Sequence, residues 1–97
     1  MTKQEKKLWI LDYMRDESHK HMFFDVVSEE FVLDYIDACE PKQVYGTCFV
    51  PKVPELGRYL SELYKEGMLD RYVHGCTYTQ DGFPKWVYVY NLKENDH

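Results

Sequence analysis

The feature that most limits what this chain can fold into is a change of hydrophobic period at Gly67. Up to that glycine, Leu56, Leu60 and Leu63 recur at the spacing of one helix face, behind a Pro54 that suits a first helical turn. Beyond it, Leu69, Tyr72 and Val73 open one β-rich run. Trp86 to Leu92, alternating around Val87 and Val89, form another. Asp81-Gly82 followed by Pro84 marks a loop between the two, longer than two residues. The chain therefore ends as a helix, a glycine in the left-handed position after it, and two strands joined by a turn.

The same reasoning places two helices upstream. Leu8, Trp9, Leu11 and Tyr13 give Lys3 to Asp16 a broad apolar face, with Glu5, Lys6, Lys7, Asp12 and Arg15 elsewhere. Thr2 and Glu5 have the spacing of a capping box. Glu17 to His21 is a polar connection, and His21-Met22-Phe23-Phe24 has the character of a small strand. Ser28 is a good N-cap ahead of Glu29 and Glu30, whose charges suit a helix N-terminus. Phe31, Val32, Tyr35, Ile36 and Cys39 then share a helical face until Pro41 stops the run. Lys42 to Pro51 favours extended structure, with Gly46 permitting a bend. It is too long for the short turn of a simple helix-turn-helix. The expected fold class is α+β: three helices plus a C-terminal β-hairpin, in a single domain over residues 1–92, with a polar tail at 93–97.

Ninety-seven residues can bury one core. With 44% apolar and 30% charged residues, the composition belongs to a folded domain and not to a disordered segment. No apolar run is long enough to span a bilayer and no secretory core follows the start, so no membrane is expected as a partner. Three cysteines at irregular spacing make no disulfide framework, which points to a reducing cytoplasm. The net charge is −5, from 12 Lys and Arg against 17 Asp and Glu, whereas DNA-binding domains are commonly basic. Distribution weighs more than the sum. Carboxylates crowd between Asp12 and Asp37, while Lys42 to Lys52 contains two lysines and no acid.

The run Arg58-Tyr59-Leu60-Ser61-Glu62-Leu63-Tyr64-Lys65-Glu66-Gly67-Met68-Leu69, with a hairpin closing on Trp86-Val87-Tyr88-Val89-Tyr90, resembles the end of a winged helix-turn-helix domain. By element order the resemblance covers residues 3–92; by local pattern it is confined to the last helix and the hairpin. It implies a third helix that enters the major groove and a wing that touches backbone or minor groove. Carried over by position, Lys52, Glu55, Arg58 and Glu62 would face bases. Thr79, Gln80 and Lys85 would be wing contacts, and Lys42, Gln43, Tyr45 and Thr47 in the long turn would help hold phosphates. Two of the base-facing positions are carboxylates, which repel phosphates and need positive support nearby. A homodimer would double that support and is the expected state. The small size and acidic character are also similar to accessory proteins of phages and other mobile elements.

Other chemistry is sparse. His74 and Cys76, with Cys39 and Cys48, lack the paired spacing of structural zinc sites. His19 and His21 flank Lys20 in a polar loop and read as solvated. Nothing orients a Cys–His nucleophile, and no glycine-rich loop cradles a phosphate. No catalytic residue, metal or cofactor is expected, and the chain is not expected to be an enzyme. Two functions remain. One is a small winged-helix transcriptional regulator that binds double-stranded DNA. The alternative is an acidic winged-helix module that docks on a host or partner protein, with Tyr88 and Tyr90, opposite Val87 and Val89 on their strand, as the interface.

Overall fold

Thr2 starts the first helix as the sequence predicts. In the computed structural model, which describes residues 1–46, 50–75 and 85–93, the Thr2 Oγ1 accepts from the Glu5 N–H at 3.2 Å. The Glu5 carboxylate accepts from the Thr2 N–H at 2.8 Å, which completes the capping box of α1 (Lys3–Arg15). A single 3-10 turn at Glu17–His19 leads on to α2 (Glu29–Cys39), and α3 spans Pro54–Lys65. β1 (Leu69–Gly75) and β2 (Trp86–Leu92) pair antiparallel, from Leu69 opposite Leu92 to Gly75 opposite Trp86. The architecture is α+β, three helices followed by a C-terminal hairpin, an arrangement compatible with a winged helix. The Asp81-Gly82 turn, Cys48, Cys76 and the tail after Lys93 lie outside the described residues.

Two local devices turn the chain into the hairpin. Pro54 occupies the first turn of α3. At the other end Gly67 takes φ +81°. Its N–H donates to the Tyr64 carbonyl at 3.1 Å, and the Met68 N–H donates to the Leu63 carbonyl at 2.9 Å. Those two bonds form the Schellman pattern, which closes a helix through one left-handed residue. Leu69, the next inward residue, is buried.

The small strand expected at residues 21–24 reduces to one bridge. The Tyr90 N–H donates to the Phe24 carbonyl at 3.0 Å, so β2 runs between β1 and Phe24. The core gathers Ile10, Leu11, Phe24, Phe31, Val32, Tyr35, Leu56, Leu60, Leu63, Leu69 and Tyr90. Ser28 holds the N-cap position of α2 without a side-chain bond. The buried Asp25 carboxylate accepts from the Val27 N–H at 2.9 Å instead. Between α2 and α3, Tyr45 and Lys52 exchange two backbone hydrogen bonds of 2.8 and 2.7 Å. The long turn is therefore a small bridged loop, of which Thr47 lies outside the described residues.

One helix face differs from the expected one. Leu8 is 51% exposed, while Lys6 and Lys7 are buried with Ile10, Leu11, Tyr13 and Met14. The reason lies on α3, which offers carboxylates to that side of α1. Among the described residues, no helix is long and apolar enough to cross a membrane.

Gly67 has open space around its Cβ position, so only backbone strain opposes a side chain there. Gly67→Ala is expected to cost about 1 kcal/mol. Thermal unfolding checks this, with a melting point lower by about 4 °C or more in a domain of this size.

Candidate nucleic-acid interface

α3 carries leucines on one side and two kinds of charge on the rest. At 100° per residue, Leu56, Leu60 and Leu63 define its core stripe. Glu55, Glu62 and Glu66 lie on one flank and turn toward α1. The Glu55 carboxylate accepts from Lys6 Nζ at 2.8 Å and from the Tyr35 hydroxyl at 2.6 Å. The Lys6 and Glu55 side chains are only 11% and 13% exposed. Glu62 meets Lys3 at 2.8 Å and Lys7 at 3.0 Å, and Lys7 also meets Glu66 at 2.7 Å. Three lysines of one helix thus face three glutamates at the other.

These contacts set the protonation of the flank. Burial opposes ionisation of Glu55, but hydrogen bonds from Lys6 and Tyr35 outweigh it and hold the carboxyl below its usual range. Lys3 and Lys7 bring the Glu62 carboxyl down from 4.5 to about 2. Hydrogen bonds to Glu66 and Glu62 hold the Lys7 ammonium above its usual range. The expectation that Glu55 and Glu62 face a duplex is therefore corrected, because both carboxylates are paired with lysines of α1.

The row of α3 opposite the leucines carries no acid itself, with Glu62 beside it one turn from Arg58. Arg58, Ser61 and Lys65 follow at three- and four-residue steps, with Arg58 and Lys65 exposed. Lys42, Gln43, Tyr45 and Lys52 are exposed on the bridged loop that leads into α3, and Lys85 is exposed before β2. Thr79 and Gln80 lie outside the described residues. Lys42, Lys52, Arg58, Lys65 and Lys85 enter no ion pair among the described residues. The sequence alone gives Lys65 and Arg71 no part in a site. The signal for Lys65 is its spacing from Arg58.

Of the tyrosine pair expected as a partner surface, Tyr90 is corrected. Tyr90 is 4% exposed and belongs to the core, while Tyr88 is half-buried. Val87 and Val89 on the other side are buried as well. With Phe24 bridged beyond it at Tyr90, β2 has neighbours on both edges there, while the far end of the Tyr88 and Tyr90 face stays exposed at Trp86. Among the described residues, the exposed apolar residues of the hairpin are Tyr72, Val73 and Trp86.

Two further groups of reactive side chains are held by the fold itself. His19, Glu30 and Asp34 bring one ligand atom each within 4.8 Å of one another. Tyr13 ties them into the protein. Its hydroxyl donates to Asp34 at 2.6 Å, its carbonyl lies 2.7 Å from His19 Nδ1, and the His19 ring stacks on it at 3.8 Å. Burial and then the Asp34 hydrogen bond push the Tyr13 phenol upward. Cys39 is buried, and burial pushes its thiol up to about 11, the opposite of an activated thiolate.

No family model matches the chain, and no curated protein or solved structure matches it either.

Lys6→Met leaves the Glu55 carboxylate buried with Tyr35 alone, and is expected to cost about 3 kcal/mol in urea unfolding. Lys6→Met combined with Glu55→Gln should recover part of that loss. Acid tests the flank as a whole. Carboxyls lowered by folding stabilise above their unfolded value, so stability is complete near neutrality and is lost as pH falls from about 4.5 toward 2. Circular dichroism during acid titration should show this fall, and Glu62→Gln should flatten it.

Proposed function

We propose that this chain is a small DNA-binding protein, a transcriptional regulator that offers α3 and the hairpin to double-stranded DNA. One observation carries the reading: charge is sorted across α3. Its carboxylates are paired with α1 lysines, and the Arg58, Ser61, Lys65 stripe is left cationic. Lys52 stands just before the helix, and Lys42 lies on the loop that feeds it. A phosphate backbone approaching this side meets ammonium and guanidinium groups with no carboxylate interleaved on the stripe. Arg58 suits a guanine edge, since a guanidinium donates to O6 and N7 together. Lys42, Lys52 and Lys65 suit phosphates. Dimerisation would double this set.

A second reading, docking on a partner protein, draws on different residues. Val73 is 60% and Trp86 is 51% exposed, and the strand register places them diagonally on one hairpin face. Exposed Trp is enriched at protein interfaces. This reading replaces Tyr88 and Tyr90 by Val73 and Trp86 as the surface to test.

Gel retardation with a mixed-sequence duplex distinguishes the two, because electrostatic binding to DNA is independent of sequence. The wild-type protein should bind at low salt, and log affinity should fall linearly with log salt. Arg58→Ala with Lys65→Ala should weaken binding by about tenfold or more. Lys20→Ala, which removes a lysine paired with Glu17, should leave it unchanged. A wild-type protein that retards no duplex at low salt would refute the DNA reading.

A further inference from the structure

Arg71 is held differently from the cations of α3 and its feeding loop. It lies on β1 directly across from Tyr90, on the sheet face that also carries Tyr88. Its Cζ is 3.9 Å from the ring centroid of Tyr64 on α3 and 4.0 Å from that of Tyr88. Two rings from different elements thus clasp one guanidinium. Arg71 is only half-buried, and it makes no ion pair with a carboxylate among the described residues.

That combination has a chemical meaning. A guanidinium covered on its faces by rings still directs its N–H donors outward in its own plane. The fork matches two oxygens of an oxyanion, and stacking fixes its direction before any ligand arrives. Here the described residues supply two rings and the Tyr90 hydroxyl but no carboxylate, and the remaining donors of the fork are available to an oxyanion.

We infer that Arg71 is a preorganised phosphate-binding group that takes two non-bridging oxygens of a nucleic-acid phosphodiester. The inference rests on the DNA-binding reading and extends it from α3 to the hairpin. Tyr64 joins the two, since it stacks on Arg71 and directly precedes Lys65. Lysine cannot replace Arg71, because an ammonium neither stacks as a plane nor offers a fork.

The test follows the Arg71 Nε–Hε resonance by heteronuclear NMR, assigned by its disappearance in Arg71→Lys. Inorganic phosphate is titrated first and a mixed-sequence duplex second. The Arg71 signal should shift saturably with phosphate, and more than that of Arg15. Arg71→Lys should weaken duplex binding by about tenfold although the charge is kept. Tyr64→Leu, which leaves every charge in place, should weaken the phosphate response of a protein that still melts cooperatively. An Arg71 signal unmoved by phosphate and by duplex overturns the inference. So does a wild-type protein that binds duplex no better than Arg71→Lys, while leaving the DNA reading intact. If phosphate shifts Arg71 but the wild type binds no duplex, nucleic acid is overturned as the source of the phosphate, and the DNA reading falls with it.

Discussion

The buried contact of Lys6, Glu55 and Tyr35 fixes how α3 is rolled, and most of the surface follows from that roll. Removing an ammonium and a carboxylate from water is costly, and their attraction offsets the cost only when further hydrogen bonds complete the site. Here the Tyr35 hydroxyl supplies one at 2.6 Å. Such a contact is directional where a leucine stripe is not. Buried leucines fix which side of the helix faces the core, and the pairing of Glu55, Glu62 and Glu66 with three lysines adds a directional constraint on its roll. Rolled this way, α3 puts its acid on α1 and its arginine and outer lysine toward solvent.

The hairpin depends on the same helix. Its position is set by the left-handed Gly67, which redirects the chain within two residues of the last helical turn. Tyr64, in that last turn, then reaches Arg71 on β1. Helix and hairpin are thus joined by a stacked cation as well as by the buried Leu63 and Leu69. The surface they share is built from residues that the turn at Gly67 brings together.

Local rules are legible in the sequence and non-local ones are not. Thr2 with Glu5, Pro54, Gly67 and the span Trp86 to Leu92 obey spacings that act within a few residues, and each takes its expected place. Lys6 and Leu8 exchange their expected roles because the decision lies 49 residues away, at Glu55. Hydrophobic periodicity ranks leucine above lysine at a buried position, and it carries no knowledge of the face that will be opposite. Tyr90 departs from its expected exposure for a similar reason. Alternation predicts one open face for a two-stranded hairpin, and it cannot foresee that the Tyr90 end of that face packs into the core with residues of the helices. Of the candidate site, Arg58, Lys42 and Lys52 stand out in the sequence as its basic groups, the two lysines at the ends of a stretch without acid. Lys65 and Arg71 need the roll of α3 and the register of β1.

A net charge of −5 argues against a polyanionic partner only while every charge is counted as a free group in solvent. Lys3, Lys6 and Lys7 pair with Glu55, Glu62 and Glu66 at the α1–α3 contact, three against three, which leaves the total unchanged but occupies the glutamates of α3. Among the remaining acids, Glu29, Glu30, Asp37 and Glu40 are exposed on or beside α2. The outer stripe of α3 keeps Arg58 and Lys65. Charge separated onto different elements makes a molecule with a direction, and a field of that kind orients an encounter even when its total repels the partner. The quantity that governs binding to DNA is then the number of phosphates met by the cationic side, which the slope of affinity against salt reports directly. On the DNA-binding proposal an acidic protein with a steep slope is the expected behaviour, because the Arg58 to Lys65 stripe meets phosphates whatever the total charge.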